Sequence, residues 1–343
     1  MGPAGGTGPV DIAGVRPLRA AHVREGCKRI ALLILPRFSM MALAGAIEPL
    51  RAANRLADKP LYEWHLLSEL GGVVCSSSGV EISTRALCDI GDVDRAFVLA
   101  SLDIEHLHVP KMSRFLQRMA AQGKTVGAFS TGTFILARAG LLDRRKCTLH
   151  WESINQFSEE FPGIDVTREL YVNDGNRWTC AGGTAVIDMM LAQISVDYGG
   201  KLAAAVAEQF LHARIRGPEE QQRISIQWRF GVHDRRIIAA IEHMEANLER
   251  VASIQEIAAR CNVSQRQLER LWHQHFGMTP QRFYLGLRLA EARRLLRESS
   301  KSIAAVAYSC GFVSASHLGS AYRRAWGCSP GQERRRFEGT LAP

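Results

Sequence analysis

Residues 253–280 read SIQEIAARCNVSQRQLERLWHQHFGMTP, and residues 302–330 read SIAAVAYSCGFVSASHLGSAYRRAWGCSP. Ser253, Ile254, Ala258 and Cys261 recur 49 residues later as Ser302, Ile303, Ala307 and Cys310. After a one-residue insertion, Leu268, Trp272, Phe276, Gly277 and Pro280 match Leu318, Tyr322, Trp326, Gly327 and Pro330. Two copies of one structural unit are therefore expected. In the first copy Ser253 with Glu256, and Ser264 with Gln267, are spaced as capping boxes that open two helices. Ile254, Ile257 and Ala258 mark the buried stripe of the first helix. Leu268, Leu271, Trp272 and Phe276 mark that of the second. Between them lies Cys261-Asn262-Val263, where Asn262 tolerates left-handed backbone angles. The second copy places Gly311 at the turn and buries Leu318, Ala321, Tyr322, Ala325 and Trp326.

This is the grammar of two helix-turn-helix units. Thr279 and Pro280 open a linking helix that runs to about Glu298. At about 1.5 Å per residue its length is roughly 28 Å, close to the 34 Å between successive major-groove faces on one side of a duplex. The second helix of the first unit shows Gln265, Arg266, Glu269, Arg270 and His273 on its outer face. That of the second unit shows Ser316, His317, Ser320, Arg323 and Arg324. Arg pairs with guanine and Gln with adenine through two hydrogen bonds each, so the first face suits base edges. Charge points the same way. The net charge is +9, and residues 231–343 hold 17 Lys and Arg against 10 Asp and Glu. Polyphosphate is the acidic partner this fits, and a soluble basic surface is the competing reading of the charge alone.

Residues 28–200 alternate short apolar runs with helical patterns, as in an α/β domain with a parallel sheet. Strands are expected over 29–35, 62–67, 95–100, 124–129 and 178–180. Residues 73–75 and 80–82, flanking SSSG, read as a hairpin. Helices are expected over 41–57 and 110–122, with another after Gly182-Gly183-Thr184. Residues 126–133, VGAFSTGT, form a strand that turns directly into a helix at Ser130. Three readings are open there: a serine nucleophile, a hydroxyl that contacts a ligand, or a helix N-cap. A nucleophile needs a base in hydrogen-bond reach, and His150 is the candidate near in sequence.

The length of 343 residues allows two cores. The first 27 residues, rich in Gly, Pro and Ala, read as a disordered tail without an apolar signal core. The longest clean apolar run, 30–35, is far short of the about 20 residues a membrane span needs. Eight cysteines are scattered without CxxC spacing, so no metal site and no cofactor is expected. His106/His108 and His273/His275 read as surface pairs. Mostly buried, reduced thiols fit a cytoplasmic protein. Gly217-Pro218 and the polar run around it place a linker at 213–232. The chain then divides into a tail (1–27), a first domain (28–212), the linker and a second domain (233–337).

Residues 233–337 resemble the AraC/XylS-type DNA-binding domain. The stretches IAARCNVSQRQLERLWHQHFGMTPQRFYLGLRLAEARRLL and VAYSCGFVSASHLGSAYRRAWGCSP carry the resemblance. It implies double-stranded promoter or operator DNA as partner. Arg266, Glu269 and Arg270 would face bases in the first unit, and Ser316 and Ser320 in the second. Ser264, Gln265, Ser314, His317, Arg323 and Arg324 complete the expected contact set.

Residues 28–200 resemble the flavodoxin-like PfpI-type, class I glutamine-amidotransferase-like domain. AFSTGTFILARAGLLDRRKCTLHW (128–151) and PRFSMMALAGAIEPLRAAN (36–54) carry this match. In enzymes of that family the position of Ser130 is a cysteine supported by a carboxylate. Here the carboxylate position matches Ala42, and Glu48 lies elsewhere on the helix. Both departures speak against catalysis. The combination resembles the GlxA-like branch of AraC-type regulators. That implies an activator of catabolic genes that senses an amino acid or quaternary amine. RNA polymerase and a second copy of the chain are implied as partners. The expected ligand pocket comprises Phe38, Ser39, Met40, Ser130, Thr131, His150 and Trp151. For Trp151 ordinary core packing is the competing reading, and for His150 a structural hydrogen bond. A PfpI-type hydrolase carrying a DNA-binding module is the alternative reading of the whole chain.

Overall fold

The computed structural model describes residues 26–104, 107–299 and 301–340. Nearly all of the tail expected over 1–27, and His106, lie outside them. The chain forms two compact units, which meet in sequence at Gln222 and Arg223.

The first unit is a parallel-rich sheet with helices. Its elements are β1 (Lys28–Ile34), α1 (Met40–Ala57), β2 (Tyr62–Ser68), β3 (Gly72–Cys75), β4 (Glu81–Ala86), β5 (Arg95–Leu99), α2 (Pro110–Ala121), β6 (Thr125–Phe129) and α3 (Thr133–Arg138). There follow β7 (Lys146–Thr148), α4 (Ile154–Glu160), β8 (Asp165–Thr167), β9 (Tyr171–Asp174), β10 (Arg177–Cys180), α5 (Ala185–Tyr198) and α6 (Gly200–Gln209). The main sheet runs in the order β3-β4-β2-β1-β5-β6-β10-β9. The six inner strands are parallel, and β3 and β9 add antiparallel edges. β1 lies well inside, so KRIALLI is buried from Ile30 onward, as expected of a strand covered on both faces. The hairpin expected around SSSG is β3 and β4. The short strands β7 and β8 pair separately.

The second unit is all helical: α7 (Ile226–Phe230), α8 (Arg235–Ala246), α9 (Ile254–Arg260), α10 (Gln265–Phe276), α11 (Pro280–Glu298), α12 (Ile303–Ser309), α13 (Ala315–Trp326) and α14 (Pro330–Thr340). It holds two cores. One gathers Ile237, Ile241, Met244, Ile257, Leu268 and Trp272. The other gathers Leu289, Leu296, Val306, Phe312, Leu318 and Tyr322. α11 contributes to both, with Tyr284 in the first and Ala292 in the second. The buried stripes match expectation with one correction. Ala325 is exposed, because Leu318 and Tyr322 set the buried line and Ala325 falls off its edge in the last turn.

The segment 213–232 is anchored at both ends rather than free. Arg216 binds buried Asp188 through its backbone N–H (2.8 Å) and guanidinium (2.6 and 2.9 Å). The Gln222 amide donates to the carbonyls of Leu149 and Glu169 at 3.0 and 2.8 Å. Beyond it, Ile226 and Val232 are buried in the second unit. Polar residues that read as linker composition are here the partners of buried polar groups.

Candidate DNA-reading face and effector site

Each helix-turn-helix is assembled by local rules. Ser253 Oγ accepts from Glu256 N at 3.2 Å, and the Glu256 carboxylate accepts from Ser253 N at 2.7 Å. Ser264 and Gln267 repeat the arrangement at 3.2 and 2.9 Å. Asn262 sits at φ 54° and Gly311 at φ 70°. Ser314 Oγ accepts from His317 N at 3.1 Å and opens α13. The hydroxyls of Ser264 and Ser314, both in the expected contact set, thus act as helix caps.

The outer face of α10 exposes Gln265, Arg266, Arg270 and His273, with Glu269 half-buried beside them. Gln265 Nε2 donates to Glu269 Oε1 at 2.9 Å, one turn along. The face lines a cleft of about 910 Å³ that extends to Met278 and Gln281. Sequence reasoning missed those last two. On α13, Ser316, His317, Ser320, Arg323 and Arg324 are exposed. His317 packs its ring against Phe312 at 5.4 Å. Arg266, Arg270, Arg323 and Arg324 have no acidic partner among the described residues. Their charge is available to a phosphate or a base edge.

In the first unit β6 delivers Ser130 at the strand end with φ 55°. Left-handed angles are uncommon outside glycine and cluster at functional sites. The side chain is nearly buried, and its hydroxyl makes no protein hydrogen bond among the described residues. The N-cap reading fails, since neither Phe129 nor Gly132 has a side-chain cap bond and Ser130 starts a 3-10 turn. The following α3 has only six residues, so the anion-attracting end expected of a long helix is small. No hydrogen bond joins Ser130 to His150. His150 Nδ1 instead lies 3.3 Å from the Glu152 carboxylate, and its ring tilts against Trp151 at 5.7 Å. Thr131 Oγ1 donates to the Ser101 carbonyl at 2.8 Å. Ser39 Oγ caps α1 by accepting from Ala42 N at 3.3 Å. Phe38 is fully buried in the core, with Met40 half-buried against it. Of the seven expected pocket residues, Phe38, Ser39 and Thr131 are thus committed to structure.

Comparison with known proteins agrees with both halves. Residues 28–195 match the DJ-1/PfpI family, and residues 257–336 match a helix-turn-helix domain. The chain is 44% identical over 304 residues to the HTH-type transcriptional regulator CdhR of Pseudomonas aeruginosa, covering 88% of this chain and 90% of that protein. It is 38% identical over 321 residues to the HTH-type transcriptional regulator GlxA of Rhizobium meliloti, covering 93% and 99%. A crystal structure of an AraC family transcriptional regulator from Pseudomonas putida aligns at TM-score 0.50 and 29% identity, over 53% of this chain and 99% of its own.

The chain belongs to the GlxA-like branch of AraC-type transcriptional regulators.

As a member of that branch it is a DNA-binding regulator of transcription, and α9–α10 and α12–α13 are its helix-turn-helix pairs. At the two positions of α1 weighed for a supporting carboxylate, the structure provides none beside Ser130. Ala42 is buried without a polar group, and Glu48 is exposed and paired with Arg51. Two further residues escaped sequence reasoning. Gly182 lies directly against Ser130, and Arg288 grips the second helix-turn-helix turn. Neither has a local signal, because each acts across more than 20 residues.

Proposed function

We propose that this regulator activates catabolic genes in response to a small amino-acid-like or quaternary-amine ligand held beside Ser130. The observation behind this reading is the left-handed, unpartnered Ser130 at the carboxyl end of β6. Open α/β sheets bind ligands at the carboxyl ends of their strands. A strained serine whose hydroxyl has no hydrogen-bond partner among the described residues is suited to a ligand's carboxylate. Trp151 and His150 supply ring faces for a cationic head group. No catalytic step is assigned: among the described residues Ser130 Oγ shares no hydrogen bond with a base or a carboxylate. On the DNA side, Arg266, Glu269 and Arg270 read bases, while Arg323 and Arg324 hold phosphates. Domain limits of 28–212 and 233–337, a homodimer, and contact with RNA polymerase complete the reading.

The test is a thermal-shift screen of the full chain against amino acids and quaternary amines. A ligand at one hundred times its Kd raises stability by about 2.7 kcal/mol through mass action. The shift should vanish in Ser130→Ala. A shift of unchanged size in that variant removes Ser130 from the pocket.

A further inference from the structure

The two halves of the DNA-binding unit meet at the second helix-turn-helix turn. Asn262 and Gly311 hold equivalent places in the repeat and share left-handed angles. Asn262 is exposed and carries its side chain freely. A Cβ on Gly311 would stand 2.6 Å from the Leu248 carbonyl oxygen and 2.9 Å from that of Glu249, and would also meet Val251. This loop joins α8 to α9 and so belongs to the first half. Two of the three obstacles are backbone atoms and cannot swing aside.

Arg288, half-buried on α11, holds the same turn through its carbonyls. Its Nε donates to the Cys310 carbonyl at 2.8 Å and its Nη2 to the Gly311 carbonyl at 2.6 Å. Its guanidinium also lies 4.3 Å from the Phe312 ring centre. One turn earlier on α11, the Tyr284 hydroxyl donates to the Asn247 carbonyl. One helix thus grips both the first half, at 247, and the second half, at 310–312.

We propose that Gly311 and Arg288 are positioning residues that fix α13 relative to α10, and thereby fix the spacing between the two blocks of DNA sequence this protein recognises. α13 begins three residues after Phe312. A shift of the turn therefore moves its N-terminal end, the end that enters a groove. A second helix with small side chains at Ser316 and Ser320 depends on close placement more than one with long, adaptable arms.

The full-length protein is used to select sites from a randomised duplex pool. The selected site is then rebuilt with base pairs inserted or removed, one at a time, between its two blocks. Wild type should lose about tenfold or more in affinity at the first change, the scale of a mismatched base pair. Gly311→Ala and Arg288→Lys should bind the selected site more weakly yet differ by less than about threefold across spacings. Their preference within the α10 block should persist. Lysine keeps the positive charge, so a lost phosphate contact would be rescued and a lost clamp would not. Circular dichroism and melting verify folding, and where Gly311→Ala does not fold, Arg288→Lys alone decides. A folded variant with wild-type strictness overturns the proposal, as does a wild-type site with a single block.

Discussion

Gly182 and Ser130 are packed so closely that a Cβ on Gly182 would lie 2.8 Å from Ser130 Cβ. Both residues have positive φ, 94° and 55°. The loop after β10 and the junction after β6 therefore seat against each other through two unusual backbones. For Gly182 the conformation is free of penalty. For Ser130 it costs about 1 kcal/mol, held in place by the surrounding core.

Ser130→Gly releases that strain and should stabilise the first unit by up to about 1 kcal/mol. It should also abolish the ligand response, since the hydroxyl goes. Gly182→Ala should cost more than about 2 kcal/mol, because it adds both a clash and an unfavourable φ. Thermal melts with and without ligand measure both. A Ser130→Gly protein that is less stable and fully responsive contradicts the assignment.

The two reading helices should contribute differently. Arg266→Ala and Arg270→Ala should each cost about 1–3 kcal/mol and broaden sequence preference. Ser316→Ala and Ser320→Ala should cost under about 1 kcal/mol. Arg323→Ala should weaken all duplexes alike and reduce the salt slope by about 1. Affinities over a salt series for matched and mismatched duplexes separate these effects. Equal broadening by the serine variants would remove the asymmetry.

The helical unit was legible because its signals are local. Capping boxes, the Asn262 and Gly311 turns and the Leu268/Leu318 stripes all lie within a few residues of the structure they dictate. The central strands were legible as apolar runs. β7, β8 and β9 were not, since KCT, DVT and YVND are only three or four residues long and show no period. Ser130 stood out as a strand-to-helix junction, but its neighbour Gly182 is supplied by another strand end. Arg288 lies 22 residues from the turn it holds. Its partners are carbonyls, which leave no mark in a sequence.

Tyr322 should tolerate loss of its hydroxyl. The ring is fully buried against Trp326, with centroids 4.4 Å apart. Its oxygen is enclosed and has no hydrogen-bond partner among the described residues. Tyr322→Phe removes an unsatisfied polar group and keeps the ring, so it should be neutral or stabilising by about 1 kcal/mol. Trp272 holds the equivalent place, and its Nε1 also has no hydrogen-bond partner among the described residues. There Trp272→Phe also empties volume and should destabilise by more than about 1 kcal/mol. Urea midpoints compare the two. A clear loss of stability in Tyr322→Phe would show that the hydroxyl is satisfied after all.

Glu245 makes the helical unit sensitive to acid. Its carboxylate accepts from Arg223 at 2.8 and 3.2 Å and from both ends of the Arg229 fork. These contacts tie residues 223–230 to α8. Burial pushes the carboxyl up, but Arg229 and Arg223 outweigh it and hold Glu245 below the ordinary range. The unfolded chain therefore binds the proton more readily than the folded one. The resulting stabilisation is complete above the unfolded pKa of about 4.3 and fades as pH falls below it. Glu245→Gln should lower stability at pH 7 by about 1–3 kcal/mol, leaving two half-buried arginines without a countercharge. The gap to wild type should narrow steadily as pH falls below about 4.3 and the wild-type carboxylate protonates. Urea unfolding across that range measures it. A gap of constant size would mean that Glu245 acts through shape and hydrogen bonding rather than charge.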